Sequence, residues 1–151
     1  MPDIVDPETR SRMMSGIKGK NTKPELMVRK ALHARGFRYR LHDPKVAGKP
    51  DMVFPKLKAV IFVNGCFWHG HDCYLHKLPS TRTQFWKAKI EINRQRDDTV
   101  RKTLRDTGWR VLTIWECALR GREKLGLDAV VGRVVGWLPS DADSTEIRGS
   151  A

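Results

Sequence analysis

The chain has 151 residues, a length that suits one domain, and its 40% hydrophobic and 30% charged residues give the balance of a globular protein. Lys and Arg number 29 against 17 Asp and Glu, a net charge of +12 that points to a polyanionic partner, nucleic acid before membrane surfaces or acidic proteins. No run is long and apolar enough to span a bilayer, the first residues lack a secretory pattern, and three cysteines cannot close a disulfide framework, so a reducing cytoplasm is the expected setting.

Residues 1–23 read as a basic arm. Asp6-Pro-Glu8 starts a short helix, and Arg10, Arg12, Lys18, Lys20 and Lys23 follow with no acid over residues 9–24. Met13, Met14 and Ile17 give that helix an apolar side. Such an arm packs loosely on the body, or it follows phosphates and sets an apolar side chain against a base step. Thr22-Lys-Pro-Glu25 is a capping box that opens a helix over 24–35, ended by Gly36. Residues 37–41 alternate as a strand. Gly48-Lys-Pro50 breaks the chain before a second strand at Asp51-Met-Val-Phe54. Ala59-Val-Ile-Phe-Val63 is a central strand buried on both faces. Residues 64–79 are irregular and crowded with Cys, His and aromatics. A long helix over 82–106 ends at Gly108, residues 109–115 form a strand, and 117–137 form a last helix weakened by four glycines. Residues 24–138 thus make one body, a mixed sheet flanked by helices, and the small, polar segment 139–151 is expected to be disordered.

Four features of this body carry chemistry. Cys66, His71 and Cys73 lie within eight residues, and Cys117 follows a strand far along the chain. Together they supply a closed tetrahedral zinc set, which would pin a loop with little core of its own. Alternatively, Cys117 is a small buried hydrophobe, or His69 replaces His71 as a ligand. Along the long helix, Trp86, Ile90, Asn93, Asp97, Val100 and Leu104 share one face. The polar members form a structural pair in the core, or Asp97 is held against a catalytic group; His69 with Asp97 makes a plausible base and orienter. Asp51, at a strand start near the end of the next strand, has the layout of a carboxylate that holds Mg²⁺ beside a phosphate, or it is a turn residue after Pro50. Phe67, Trp68 and Trp86 either stack or wedge between bases, or pack over the metal loop.

Several stretches resemble the Vsr (very short patch repair) DNA mismatch endonuclease family: Thr9-Arg-Ser-Arg-Met-Met-Ser-Gly-Ile17, Gly48-Lys-Pro-Asp51, Gly65-Cys-Phe-Trp-His69 with His71 and Cys73, Arg82-Thr-Gln-Phe-Trp86, and Trp115-Glu-Cys-Ala-Leu-Arg-Gly-Arg122. The resemblance implies a restriction-endonuclease-like core of the PD-(D/E)xK type, in which Asp51 and the carbonyl of Val63 ligate Mg²⁺. It implies that His69, hydrogen-bonded to Asp97, is the base, and that Glu25 holds metal-bound water. Glu25 also has a structural account as the end of the capping box. The structural Zn²⁺ falls to Cys66, His71, Cys73 and Cys117. Phe67, Trp68 and Trp86 would wedge into the duplex, Met14 and Ile17 would reach in from the minor groove, and Lys89 would touch base edges. The implied task is to nick one strand 5′ of the thymine in a G·T mismatch left by deaminated 5-methylcytosine. The enzyme would be a monomer in the bacterial cytoplasm, associated with the nucleoid, working with MutL-type repair factors. This sequence departs from the family pattern at Val63-Asn64, where Thr-His is usual. A backbone carbonyl is indifferent to its side chain, but Asn64 cannot accept a proton as His would. Two other readings stay open: a restriction- or defence-type nuclease without mismatch selectivity, and a zinc-stabilised DNA-binding module with a weakened active site.

Overall fold

The computed structural model describes residues 22–150. Most of the expected arm over residues 1–23, with Met14 and Ile17, therefore lies outside the described residues. Helix α1 (Lys23–Ala34) starts where Thr22, in extended conformation, accepts a hydrogen bond from Glu25 N through Oγ1 at 3.4 Å. Strands β1 (Arg40–Leu41), β2 (Met52–Phe54) and β3 (Ala59–Asn64) follow as an antiparallel meander. Helix α2 (Thr83–Asp106) crosses over to β4 (Arg110–Trp115), which runs parallel to β3 with Ala59 opposite Arg110 and Asn64 opposite Trp115. A crossover helix is what a parallel pair requires.

Alternation along the strands builds two cores. Ala59, Ile61 and Val63 of β3, with Leu112 and Ile114 of β4, face α1 and the last long helix. Val60 and Val111 face the other way, onto Leu104 and Val100 of α2. The apolar run 59–63 is thus covered on both sides, as its composition predicts. Each fully buried Val, Leu or Ile contributes roughly 1.5–3 kcal/mol.

Two expectations fail near the end of the chain. The helix expected over 117–137 is broken: α3 (Glu116–Leu119) is one turn, and α4 spans Leu127–Trp137. The chain turns at Gly121, whose φ is +88°, and Leu125 N and Gly126 N both return to Ala118 O. The segment from Pro139, expected to be disordered, instead adds β5 (Thr145–Ile147), parallel to β4 at the sheet edge. Ile147 is buried there, Trp115 Nε1 donates to Glu146 Oε2 at 2.9 Å, and Arg110 Nη2 donates to Leu138 O at 2.8 Å. The sheet order is β1-β2-β3-β4-β5.

Candidate active site and metal centre

A cleft of about 790 Å³ opens at one end of the sheet. Asp51 lines it from just before β2, Val63 and Asn64 from β3, His69 from the loop after β3, and Asn93, Arg96, Asp97 and Arg101 from α2. The sheet register explains the first pair. Met52 sits opposite Ile61, so Asp51 reaches the end of β3, where its Oδ2 accepts from Val63 N at 2.6 Å. Burial, with a further push from Glu25, raises the Asp51 carboxyl to about 7, against the opposing hydrogen bond from Val63. A carboxylate held in such surroundings favours a bound cation.

Glu25 is buried, and its Oε2 accepts from Arg29 Nη1 at 3.0 Å and meets His42 Nε2 at 2.9 Å. Its buried carboxylate therefore lies within 4.8 Å of Asp51, although its backbone N–H still completes the cap at Thr22. His42 went unremarked in the sequence. The signal that could have found it is the hairpin register: Leu41 pairs with Met52, so the residue after Leu41 faces Asp51. His42 Nε2 lies 3.6 Å from Asp51 Oδ1.

His69 Nδ1 pairs with Asp97 Oδ2 at 2.5 Å, and Asn93 Nδ2 donates to Trp68 O at 3.0 Å. The two polar residues of the α2 face are thus bound to the loop. An ionised Asp97 can only accept, which places a proton on Nδ1 and, in the neutral ring, makes Nε2 the acceptor. Gly70 separates the two histidines with φ +61°, and a Cβ there would stand 2.8 Å from Ile90 Cγ2. Glycine lets the loop lie against α2 while His69 faces Asp97 and His71 faces the cysteines.

The second centre gathers Cys66, His71, Cys73 and Cys117, whose donor atoms all lie within 4.8 Å of one another. His71 Nδ1 is 3.5 Å from Cys66 Sγ and 3.6 Å from Cys117 Sγ. A tetrahedral zinc with Zn–S near 2.3 Å and Zn–N near 2.05 Å has N···S edges of about 3.5–3.6 Å, so the donor set fits that ion. Burial pushes the Cys66 and Cys117 thiols up and holds His71 down, conditions that favour a neutral imidazole and leave the thiolates in need of a cation. The His71 ring stacks on Trp115 at 4.0 Å. Gly149 N donates to Cys117 Sγ at 3.3 Å, and Arg148 Nη1 pairs with Asp72 at 2.7 Å, so the chain beyond β5 clasps this centre. That clasp had no legible signal in the sequence.

Phe67, Trp68 and Trp86 form one half-exposed cluster, with ring centroids 5.1–5.7 Å apart. Phe85, which the sequence offered only as part of the Arg82–Trp86 stretch, extends it as an exposed ring 5.2 Å from Trp86. Arg82 lies over the Phe85 ring at 4.2 Å and Lys89 at 5.9 Å, so cations border the aromatic surface.

Carboxylates and an oriented imidazole in a basic α/β protein, beside a rim of aromatics and cations, are the equipment of an enzyme that cuts nucleic acid. The family model "DNA mismatch endonuclease Vsr" matches residues 2–75. The chain is 44% identical to the DNA mismatch endonuclease Vsr of Escherichia coli, over 97% of its own length and 94% of that protein. It is 47% identical to the type II nicking enzyme V.XorIIP of Xanthomonas oryzae pv. oryzae over 79% of this chain and 88% of the relative. It is 44% identical to the type II nicking enzyme V.NmeAIP of Neisseria meningitidis over 81% and 87%. The chain belongs to the Vsr DNA mismatch endonuclease family and is a DNA endonuclease. No helix of the described residues is long and apolar enough to cross a membrane.

Proposed function

We propose that this endonuclease nicks one strand of duplex DNA 5′ of the thymine in a G·T mismatch, in short-patch repair of deaminated 5-methylcytosine. The observation that carries the reading is the His69–Asp97 pair, 2.5 Å apart, in the same cleft as Asp51. Asp51 and the Val63 carbonyl would hold Mg²⁺, and Glu25 would orient water around it. A divalent cation there supplies positive charge beside the scissile phosphate. His69 Nε2 accepts the proton of the attacking water, and Asp97 fixes the tautomer and stabilises the imidazolium. Cys66, His71, Cys73 and Cys117 would hold a structural Zn²⁺ that anchors the loop bearing His69. Phe67, Trp68 and Trp86 enter the duplex at the mispair, where unstacking costs least, while Lys89 reaches base edges and Met14 and Ile17 approach from the minor groove. The protein would act as a monomer and hand the nick to MutL-type repair factors.

A second reading, nicking without mismatch selectivity, is favoured by the relatives named as type II nicking enzymes. Single-turnover nicking of matched and mismatched duplexes in Mg²⁺, with the cut mapped, separates the two. A G·T duplex should be cut faster than a matched one by at least on the order of tenfold. Equal rates would leave the second reading, and no cleavage in any divalent cation would leave only a DNA-binding module.

A further inference from the structure

His42 takes no part in the reaction as read above, yet it lies inside the cleft, 14% exposed. Its Nε2 is 2.9 Å from Glu25 Oε2 and 3.6 Å from Asp51 Oδ1, and the three donors fall within 4.8 Å of one another. Donors in adjacent positions of an octahedron with bonds near 2.1 Å are about 3.0 Å apart, so a shift of about 0.6 Å between His42 Nε2 and Asp51 Oδ1 lets the two share one ion while Glu25 acts on it through water. His42 also has a positive φ of +47°, a region in which Asn, Asp and His are enriched among residues other than glycine. That conformation follows directly on β1 and turns the ring toward Asp51. Glu25 Oε2 accepts from Arg29 Nη1 at 3.0 Å as well, so its orientation does not depend on His42 alone.

We propose that His42 Nε2 is a nitrogen ligand to the divalent cation held at Asp51, and that it shifts the preference of this site from Mg²⁺ toward Mn²⁺. The inference rests on the metal-dependent reading above. As a ligand, the ring carries its proton on Nδ1 and presents its lone pair at Nε2. Mg²⁺ is a hard ion that takes oxygen donors, whereas Mn²⁺ accepts carboxylate and imidazole together.

The test uses the full chain with its zinc, titrated with Mn²⁺ or Mg²⁺ alone, with Mn²⁺ followed by electron spin resonance. The variants are His42→Gln, His42→Asn and Asp51→Asn. Asn suits the left-handed backbone but is too short to reach the ion, so it guards against a folding defect, and thermal melting checks each variant. Wild-type protein should show spin-echo modulation from a directly bound imidazole nitrogen, absent in both His42 variants. Its preference for Mn²⁺ over Mg²⁺ should fall on the order of tenfold in those variants. Mn²⁺ bound in an Asp51-dependent way, with modulation and preference unchanged in the His42 variants, overturns the inference and leaves the metal-dependent reading intact. No Asp51-dependent Mn²⁺ binding overturns both.

Discussion

His69 has one ring nitrogen committed to Asp97 and, on the proposed reading, the other serves as the base, so the two residues would differ in what their loss removes. His69→Ala deletes the proton acceptor, and nicking in single turnover should fall by about 10²–10⁴-fold while zinc content and DNA binding stay near wild type. Asp97→Asn keeps the imidazole but weakens control of its tautomer, so its loss of rate should be smaller. Near wild-type turnover of His69→Ala would return that residue to a structural role. Asn64, beside His69 in the same cleft, cannot take over as a base, and the other imidazole there, His42, is turned to Glu25 and Asp51. Local spacing made His69, His71 and the cysteines legible, because a short Cys/His-rich loop concentrates its chemistry in one stretch. His42 was not legible: it belongs to no motif and meets Asp51 only through strand pairing and a left-handed turn.

At the scale of elements, α2 ties the loop to the sheet with its polar residues and presents aromatics at its first turn. Its 3.6-residue periodicity is regular enough to be read directly, and the helix Thr83–Asp106 lies within a residue of expectation. Trp68→Ala and Trp86→Ala should lower discrimination between G·T and matched duplex more than they lower salt-dependent nonspecific binding. Competition binding at two salt concentrations measures both, and unchanged selectivity would make these rings packing residues. Strand β5 escaped the sequence because Thr145-Glu-Ile147 is short and mostly polar; pairing with β4, not propensity, makes it a strand. Its continuation is tightly fitted. A Cβ on Gly149 would stand 2.6 Å from Cys117 O and 2.7 Å from Glu123 O, both backbone atoms. Gly149→Ala should therefore destabilise the protein by about 1–3 kcal/mol, seen in denaturant melts, and speed zinc loss to a chelator.

Across the whole molecule, the cysteine–histidine centre joins three distant parts of the chain: the loop after β3, the start of α3 and the segment beyond β5. Such closed sites contribute on the order of 10 kcal/mol to folding when zinc is bound. Cys117→Ser should lose zinc and thermal stability together, by metal analysis and calorimetry, and nicking should fail with them although no catalytic side chain is touched. A folded, active preparation without stoichiometric zinc would refute that coupling. The same long-range closure sets an order in time. During synthesis, the loop carrying His69 appears early, but its anchor at Cys117 follows nearly fifty residues later and the clasp at Gly149 later still. If His69 is the base and this centre its anchor, a ribosome-bound fragment would lack the means to hold the base in place, and the ability to break DNA would come only after Cys117 and Gly149 had been made.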